Sequence, residues 1–193
     1  MADALLLPQR SRRYPAESVE IRLLADGRPL LIRPIAARDA DLVQDFVRRL
    51  STTSRYQRFQ GALRELAPDL LARLLAVDYQ RSMAFVAVVF EHGHRRIIGE
   101  ARYAPALDDA DATDFALAIA DAWQRRGIGR LLFTKLLQHA ERNGVTRIQG
   151  DVLHDNTAML ALARQFGFAL GTHPDGAWLT RVEKTLGSRA IPA

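Results

Sequence analysis

Two apolar runs, residues 19–24 and 30–33, flank Asp26-Gly27, and Pro34 closes the second. An Asp-Gly pair between apolar runs favours a tight turn, so the pattern predicts a β-hairpin. From Asp39 the period changes. Val43, Phe46, Val47 and Leu50 recur every three or four residues and predict a helix with one apolar face. Ser51-Thr52-Thr53-Ser54 breaks it, and the stretch carrying Tyr56 and Arg58 reads as an amphipathic loop packed over a sheet, or else as the lining of a cleft. Pro68 suits the first turn of a short helix bearing Leu70, Leu71, Leu74 and Leu75. Residues 83–90 are a β-rich run, His92-Gly93-His94 a turn, and residues 96–103 the return strand, while the acidic residues 108–111 form a loop.

The most informative stretch follows. Residues 114–119 read as a strand, and a short loop holds Gly127 and Gly129. A helix opens at once, striped by Ile128, Leu131, Leu132, Leu136 and Ala140, and Asn143-Gly144 stops it. Residues 145–152 form a further strand. Strand, loop, helix and strand in this order predict a right-handed crossover between parallel strands. A last helix carries Met159, Leu162, Ala163 and Phe166 and ends at Gly167; strands near 168–171 and 177–183 complete the pattern. A single domain over 18–185 accounts for these elements, with 1–17 a loosely ordered segment and 186–193 a tail. An exposed edge strand near the C-terminus offers a place where a homodimer could pair.

Composition narrows the function. The 193 residues can bury a core without staples, and 48% hydrophobic residues with 25% charged ones argue against disorder. There is no cysteine. That excludes disulfides, thiolate metal ligands and an acyl-cysteine intermediate, and suits a reducing cytoplasm. No run approaches the roughly 18 apolar residues of a membrane span. Leu5-Leu6-Leu7 before Pro8 is too short for the core of a secretory signal. The net charge is +5, and only Lys135 and Lys184 of 27 basic residues are lysine. The arginines are scattered without interleaved aromatics, which points to a solvated surface and not to nucleic acid. His92 and His94 flank an exposed turn, and His139, His154 and His173 lack metal-ligand spacing.

The loop Gln124-Arg125-Arg126-Gly127-Ile128-Gly129 opens a helix whose first N–H groups lack partners. The helix dipole adds roughly half a positive charge there, glycines remove obstructing Cβ atoms, and the arginines add charge. A diphosphate fits such a place. The Gly-Lys-Ser/Thr of a P-loop is missing. The third small residue of a dinucleotide fingerprint is replaced by Leu132. What remains, Gln124-x-x-Gly127-x-Gly129, resembles the signature of the GNAT N-acetyltransferase superfamily. Asn156-Thr157-Ala158-Met159 and Gln165-Phe166-Gly167-Phe168 are similar to the family's Asn-x-x-Ala/Met…Gly-Phe segment. Leu50-Ser51…Ser54-Arg55-Tyr56-Gln57-Arg58-Phe59, Ile98 to Tyr103 and Asp121-Ala122-Trp123-Gln124 resemble the acetyltransferase domain of Pat-type bacterial protein lysine acetyltransferases. The likeness covers about residues 29–185.

The resemblance implies a mixed α/β fold. Its central twisted sheet is mostly antiparallel, has about six to seven strands, carries helices on both faces and includes one parallel β-α-β crossover. It implies an acetyl-CoA-dependent enzyme transferring acetyl to a primary amine, with protein lysine as one such acceptor, by direct attack in a ternary complex; a non-catalytic acyl-CoA-binding module is the alternative. Backbone groups at Leu117, Ala118 and Ile119 would pair with the pantetheine arm, with the Ile119 N–H facing the oxyanion. Gln124, Arg125, Arg126, Gly127, Ile128, Gly129 and Arg130 would cradle the pyrophosphate. Asn156, a natural helix N-cap, would reach the cofactor. Pat-like domains carry a glutamate where this chain has Asp114. Asp114 is therefore one candidate base, or else it only ends the acidic run. Glu100, beside Gly99 and a possible bulge, is the second, or else a solvent-facing strand residue. A tyrosine general acid is missing, since the aromatics of the last helix are Phe166 and Phe168.

Overall fold

Residues 83–89 are buried without a polar break. A strand covered on both faces shows no period-two alternation, and this one is the centre of the sheet. The computed structural model describes residues 13–91, 93–107, 109–173, 176 and 178–187. Eight strands are present in it: β1 (Glu20–Leu23), β2 (Pro29–Pro34), β3 (Met83–Glu91), β4 (His94–Pro105), β5 (Thr113–Ile119), β6 (Arg147–Leu153), β7 (Ala169–Thr172) and β8 (Leu179–Thr185). They form one sheet in the order β1-β2-β3-β4-β5-β6-β8-β7. Neighbours are antiparallel except β5 and β6. The count exceeds the expected six to seven because the four-residue edges β1 and β7 both pair along their length.

Five α-helices cover the sheet: α1 (Ala40–Arg49), α2 (Thr52–Phe59), α3 (Pro68–Leu75), α4 (Ile128–Arg142) and α5 (Thr157–Gln165). Side chains alternate across each strand, so β5 serves both layers. Phe115 meets Phe133 of α4, with ring centroids 4.9 Å apart. On the opposite face Arg102 of β4 reaches the Leu74 carbonyl of α3 at 2.8 Å. The stripe Ile128, Leu132, Leu136 and Ala140 is buried against β3, β4 and β5.

The segment read as a loop after Ser51 is helix α2. Ser51 caps it, its hydroxyl accepting from the Ser54 amide at 3.1 Å. Few apolar residues mark this helix, and its stability comes from tertiary bonds described below. The bulge expected near Gly99 lies at Ile98, which is left over where Ala87 pairs with Gly99 and Val88 with Ile97. Beyond the expected domain limits, Tyr14 donates to the Pro34 carbonyl at 3.1 Å. Leu186 is only 2% exposed, and its amide donates to Thr146. His92, Asp108 and Ala177, with residues 1–12 and 188–193, lie outside the described residues.

Arg33 and Asp39 form a buried bidentate pair, 2.7 Å on each arm, that joins the end of β2 to the start of α1. The Ala36 amide donates to the same carboxylate at 2.8 Å. Burial raises the Asp39 pKa, but the bonds from Arg33 and Ala36 outweigh it and hold the carboxyl below the usual range. Asp39→Asn is expected to cost about 3 kcal/mol by stranding the guanidinium, read as a fall in Tm. The ionised carboxylate stabilises the fold fully above its unfolded pKa of about 3.9 and loses this effect as pH falls through its lower folded value. The gap between wild type and variant should therefore be constant near neutrality and close only in acid.

Candidate active site

β5 and β6 pair only at Thr113 with Ile148 and Asp114 with Gln149. Beyond Asp114 the strands separate. β6 bonds to β8 along its length, so its outer edge is satisfied. β5 keeps β4 on one edge and opens the other to a cleft of about 620 Å³. The Ala120 amide donates to Ile98 of β4. By alternation, the N–H and C=O groups of Ile119 and Leu117 point away from β4, into the cleft. Gln124 Nε2 donates to the Ile119 carbonyl at 3.1 Å, from the cleft side.

A wedge of side chains holds the strands apart. Phe115 packs on Phe133 and Phe168, and Phe133 on Phe166. Across the split, a Cβ on Gly150 of β6 would stand 2.9–3.2 Å from three Phe115 ring atoms. Glycine there admits the ring.

At the mouth, Arg125 and Gly127 adopt positive φ, 58° and 79°. Among the described residues, none of the amide groups of residues 125–130 meets a backbone acceptor. Arg125, Gly127, Gly129 and Arg130 border the cleft, and nothing lies within 4 Å of a Cβ built on Gly127. The site is thus a row of unpaired donors at a helix N-terminus, suited to an anion with several oxygens. The Arg126 side chain does not join it. Its guanidinium lies 5.0 Å from the Trp123 ring centroid, which Arg28 also approaches at 4.7 Å, and 3.9 Å from Asp26. The Ile128 side chain is core, so both residues offer the loop only backbone. Asn156 borders the cleft and caps α5, accepting from the Met159 amide at 3.1 Å.

Residues 46–168 match the model of the acetyltransferase (GNAT) family. The chain belongs to the GNAT acetyltransferases. It is 38% identical over 155 residues to an acetyltransferase of Pseudomonas aeruginosa, a match covering 80% of this chain and 83% of that one. It is 30% identical over 157 residues to acetyltransferase Pat of Mycolicibacterium smegmatis, covering 81% of this chain but 46% of Pat. The chain therefore spans about half of that relative. The GNAT domain of S. lividans PAT superposes with a TM-score of 0.78 at 26% identity, covering 90% of this chain and all of that domain. A putative acetyltransferase of Salmonella typhimurium, solved with its cofactor acetyl-CoA, shares the fold at a TM-score of 0.62 and 20% identity over 85% of this chain.

The GNAT cleft separates the two candidate bases. Asp114 lines it at the point where β5 leaves β6, and Gln149 Nε2 donates to its carboxylate at 3.0 Å. Glu100 is not solvent-facing: it is 3% exposed, and Arg102 Nε donates to it at 2.5 Å. Burial raises its pKa, but Arg102 and Arg58 outweigh this and hold it below the usual range. An ionised, bonded and buried carboxylate is a poor proton acceptor.

Asp121, which the sequence offers only as part of a Pat-like segment, locks the loop to α2. It accepts from the Ser51 amide at 2.9 Å and from the Ser51 and Ser54 hydroxyls at 2.7 and 2.8 Å. Gln124 also reaches Ser54 Oγ at 3.3 Å. His139 belongs to the core, with Nδ1 2.9 Å from the Tyr103 hydroxyl, and burial brings its pKa down to about 4. Among the described residues no group of three His, Cys, Asp or Glu could hold a metal, and no helix is long and apolar enough to cross a membrane.

The wedge gives a test. Gly150→Ala forces the Phe115 ring into packed neighbours and should destabilise the fold by about 1–3 kcal/mol. Thermal unfolding reads the loss, and Phe115→Leu in the same chain should recover part of it by vacating the ring. A full-stability Gly150→Ala protein would show that the ring is free to move.

Proposed function

We propose that this GNAT acetyltransferase moves the acetyl group of acetyl-CoA onto a primary amine, with Asp114 as the base. The row of unpaired amides from Arg125 to Arg130, opening onto the free edge of β5, carries the reading. It supplies donors for a diphosphate at one end and donors for an amide-rich arm along the strand. The acetyl-CoA of the Salmonella relative supports the same donor here.

Acetyl-CoA supplies a thioester activated for attack: the amine nitrogen bonds to the acetyl carbon, the C–S bond breaks and CoA thiol leaves. A lysine-like ammonium titrates near 10.4 and must first lose a proton. Asp114, oriented by Gln149, takes it through a water, because the aspartate is one methylene shorter than the glutamate of the resembling domains. Ile119 adjoins the loop, whereas the reacting end of an arm anchored there lies farther along β5 toward Asp114. We therefore assign the oxyanion contact to the Leu117 amide and a place along the arm to Ile119. Without a tyrosine at the end of α5, water returns the proton to the leaving thiolate. A lysine side chain is the acceptor class implied by the Pat-like segments, and a cytoplasmic setting accords with a chain free of cysteine.

Two measurements test the reading. Asp114→Asn should lower kcat by about 10²-fold or more while the KM for acetyl-CoA stays within a factor of about two, and Asp114→Glu should restore most of it. Free CoA release with a panel of amines reads both; an undiminished kcat in Asp114→Asn removes its role as base. Gly127→Glu places a like charge in the cradle and strains a residue at positive φ, and should weaken CoA binding by about 100-fold in calorimetry. Unchanged affinity would remove the loop as the phosphate site.

A further inference from the structure

Among the described residues, the Arg58 cation beside the cleft meets no hydrogen-bond acceptor. Arg58 lies on α2 and lines the cleft; its Nη2 is enclosed and, among the described residues, meets no hydrogen-bond partner, whereas Nε and Nη1 are not among the enclosed unpartnered atoms. Its guanidinium carbon sits 4.7 Å from the centroid of the Phe59 ring. Burial brings its pKa down to about 10; the charge of Glu100 opposes this and that of Arg102 adds to it. Glu100 is bonded by Arg102 and not by Arg58, although its charge acts on both. The close bonds of Glu100 go to Arg102 Nε and Nη2, and that Nη2 also donates to the Leu74 carbonyl. Arg58 is the positive charge left over.

Its position relates it to the chemistry. Asp114, Ala116 and Ala118 follow one another on one face of β5, and on β4 Arg102 and Glu100 stand opposite Ala116 and Ala118. Arg58, Ala116 and Ala118 line the same cleft, and the small alanine side chains leave room beneath α2. Asp114 is one step along the same face, about 7 Å from Ala116. A neutral amine facing Asp114 leaves Arg58 unsatisfied, whereas a carboxylate fits a guanidinium's fork of donors.

We propose that Arg58 binds a carboxylate carried by the acceptor, so that the acceptor is an amine with a carboxylate near its amino group. Either a small amino acid or a peptide lysine with an acidic neighbour presents this chemistry. The amine half of the inference rests on the acetyl-transfer reading, but the carboxylate half can be measured without turnover. Two matched pairs serve as probes, 4-aminobutyrate with its amide and a lysyl peptide with Asp or Asn beside the lysine. Each is titrated by calorimetry into the CoA-bound protein.

In at least one pair the carboxylate member should bind wild type about tenfold to a hundredfold tighter, and that pair identifies the source. The preference should fall to about twofold in Arg58→Gln and persist in part in Arg58→Lys, which keeps the charge but loses the fork. Equal affinity, or no measurable binding, in both pairs overturns the proposal, and this comparison needs no folded variant. A preference unchanged in folded Arg58→Gln overturns it as well. A carboxylate preference without turnover of any amine supports Arg58 as the anion contact and removes the acetyl-transfer reading instead.

Discussion

The early parting of β5 from β6 is the constraint on which the site depends. A parallel pair joined at two residues and then released leaves one strand with an open edge in the middle of a sheet. Backbone donors and acceptors so placed are expensive unless something else satisfies them. Here the cost is contained in two ways. β6 turns its other edge wholly to β8, and β4 holds β5 through a continuous antiparallel ladder. The phenylalanine wedge fills the hydrophobic base of the split, and Gly150 is the concession that lets Phe115 enter. The β5 backbone groups that β6 leaves without a strand partner face the cleft.

The same logic extends to the loop. Arg125 and Gly127 hold positive φ, an arrangement that costs free energy in an isolated chain and directs successive amides to one side. Asp121 supplies the restraint. Its three bonds from Ser51 and Ser54, with Gln124 bridging Ser54 and Ile119, join the loop, α2 and the end of β5 into one polar knot. The carboxylate is buried in part, which raises its pKa, but the donors from Ser51 and Ser54 prevail and keep it ionised. The loop and α2, which border the cleft on two sides, are thereby tied together by one side chain.

How far the sequence reveals this depends on where the signal is written. The crossover and its helix were legible because apolar period and glycine position are local properties, and Ile128 to Ala140 fall as the spacing demands. The N-cap role of Asn156 was legible for the same reason. Helix α2 was not, because its residues are polar and it is held from outside by Asp121, some seventy positions away. Gly150 looks like any strand glycine until Phe115 is placed across from it. Arg126 looks like its neighbour Arg125, yet Trp123 and Asp26 draw it off the loop, and neither contact leaves a trace in local spacing. Asp114 and Glu100 are equal candidates as strand carboxylates. Only the register, which sets Glu100 beside Arg102 under α2 and leaves Asp114 on the cleft, tells them apart.

That register also explains why the buried charges take the form they do. A lone Glu100 under α2 would be driven to its neutral form, and a single arginine would neutralise it without remainder. The second arginine makes sense only in relation to the opening. A guanidinium enclosed without an acceptor costs about 1–3 kcal/mol, and replacing it by an apolar residue would remove that cost. Glu100 and the Phe59 face lessen it without abolishing it, since neither gives Nη2 a hydrogen bond. Sites that bind anions commonly keep such a donor waiting, because the desolvation is then already spent when the ligand arrives. Arg58 and the amides at Arg125–Arg130, which meet no backbone acceptor among the described residues, are in this respect alike, and both border one cleft.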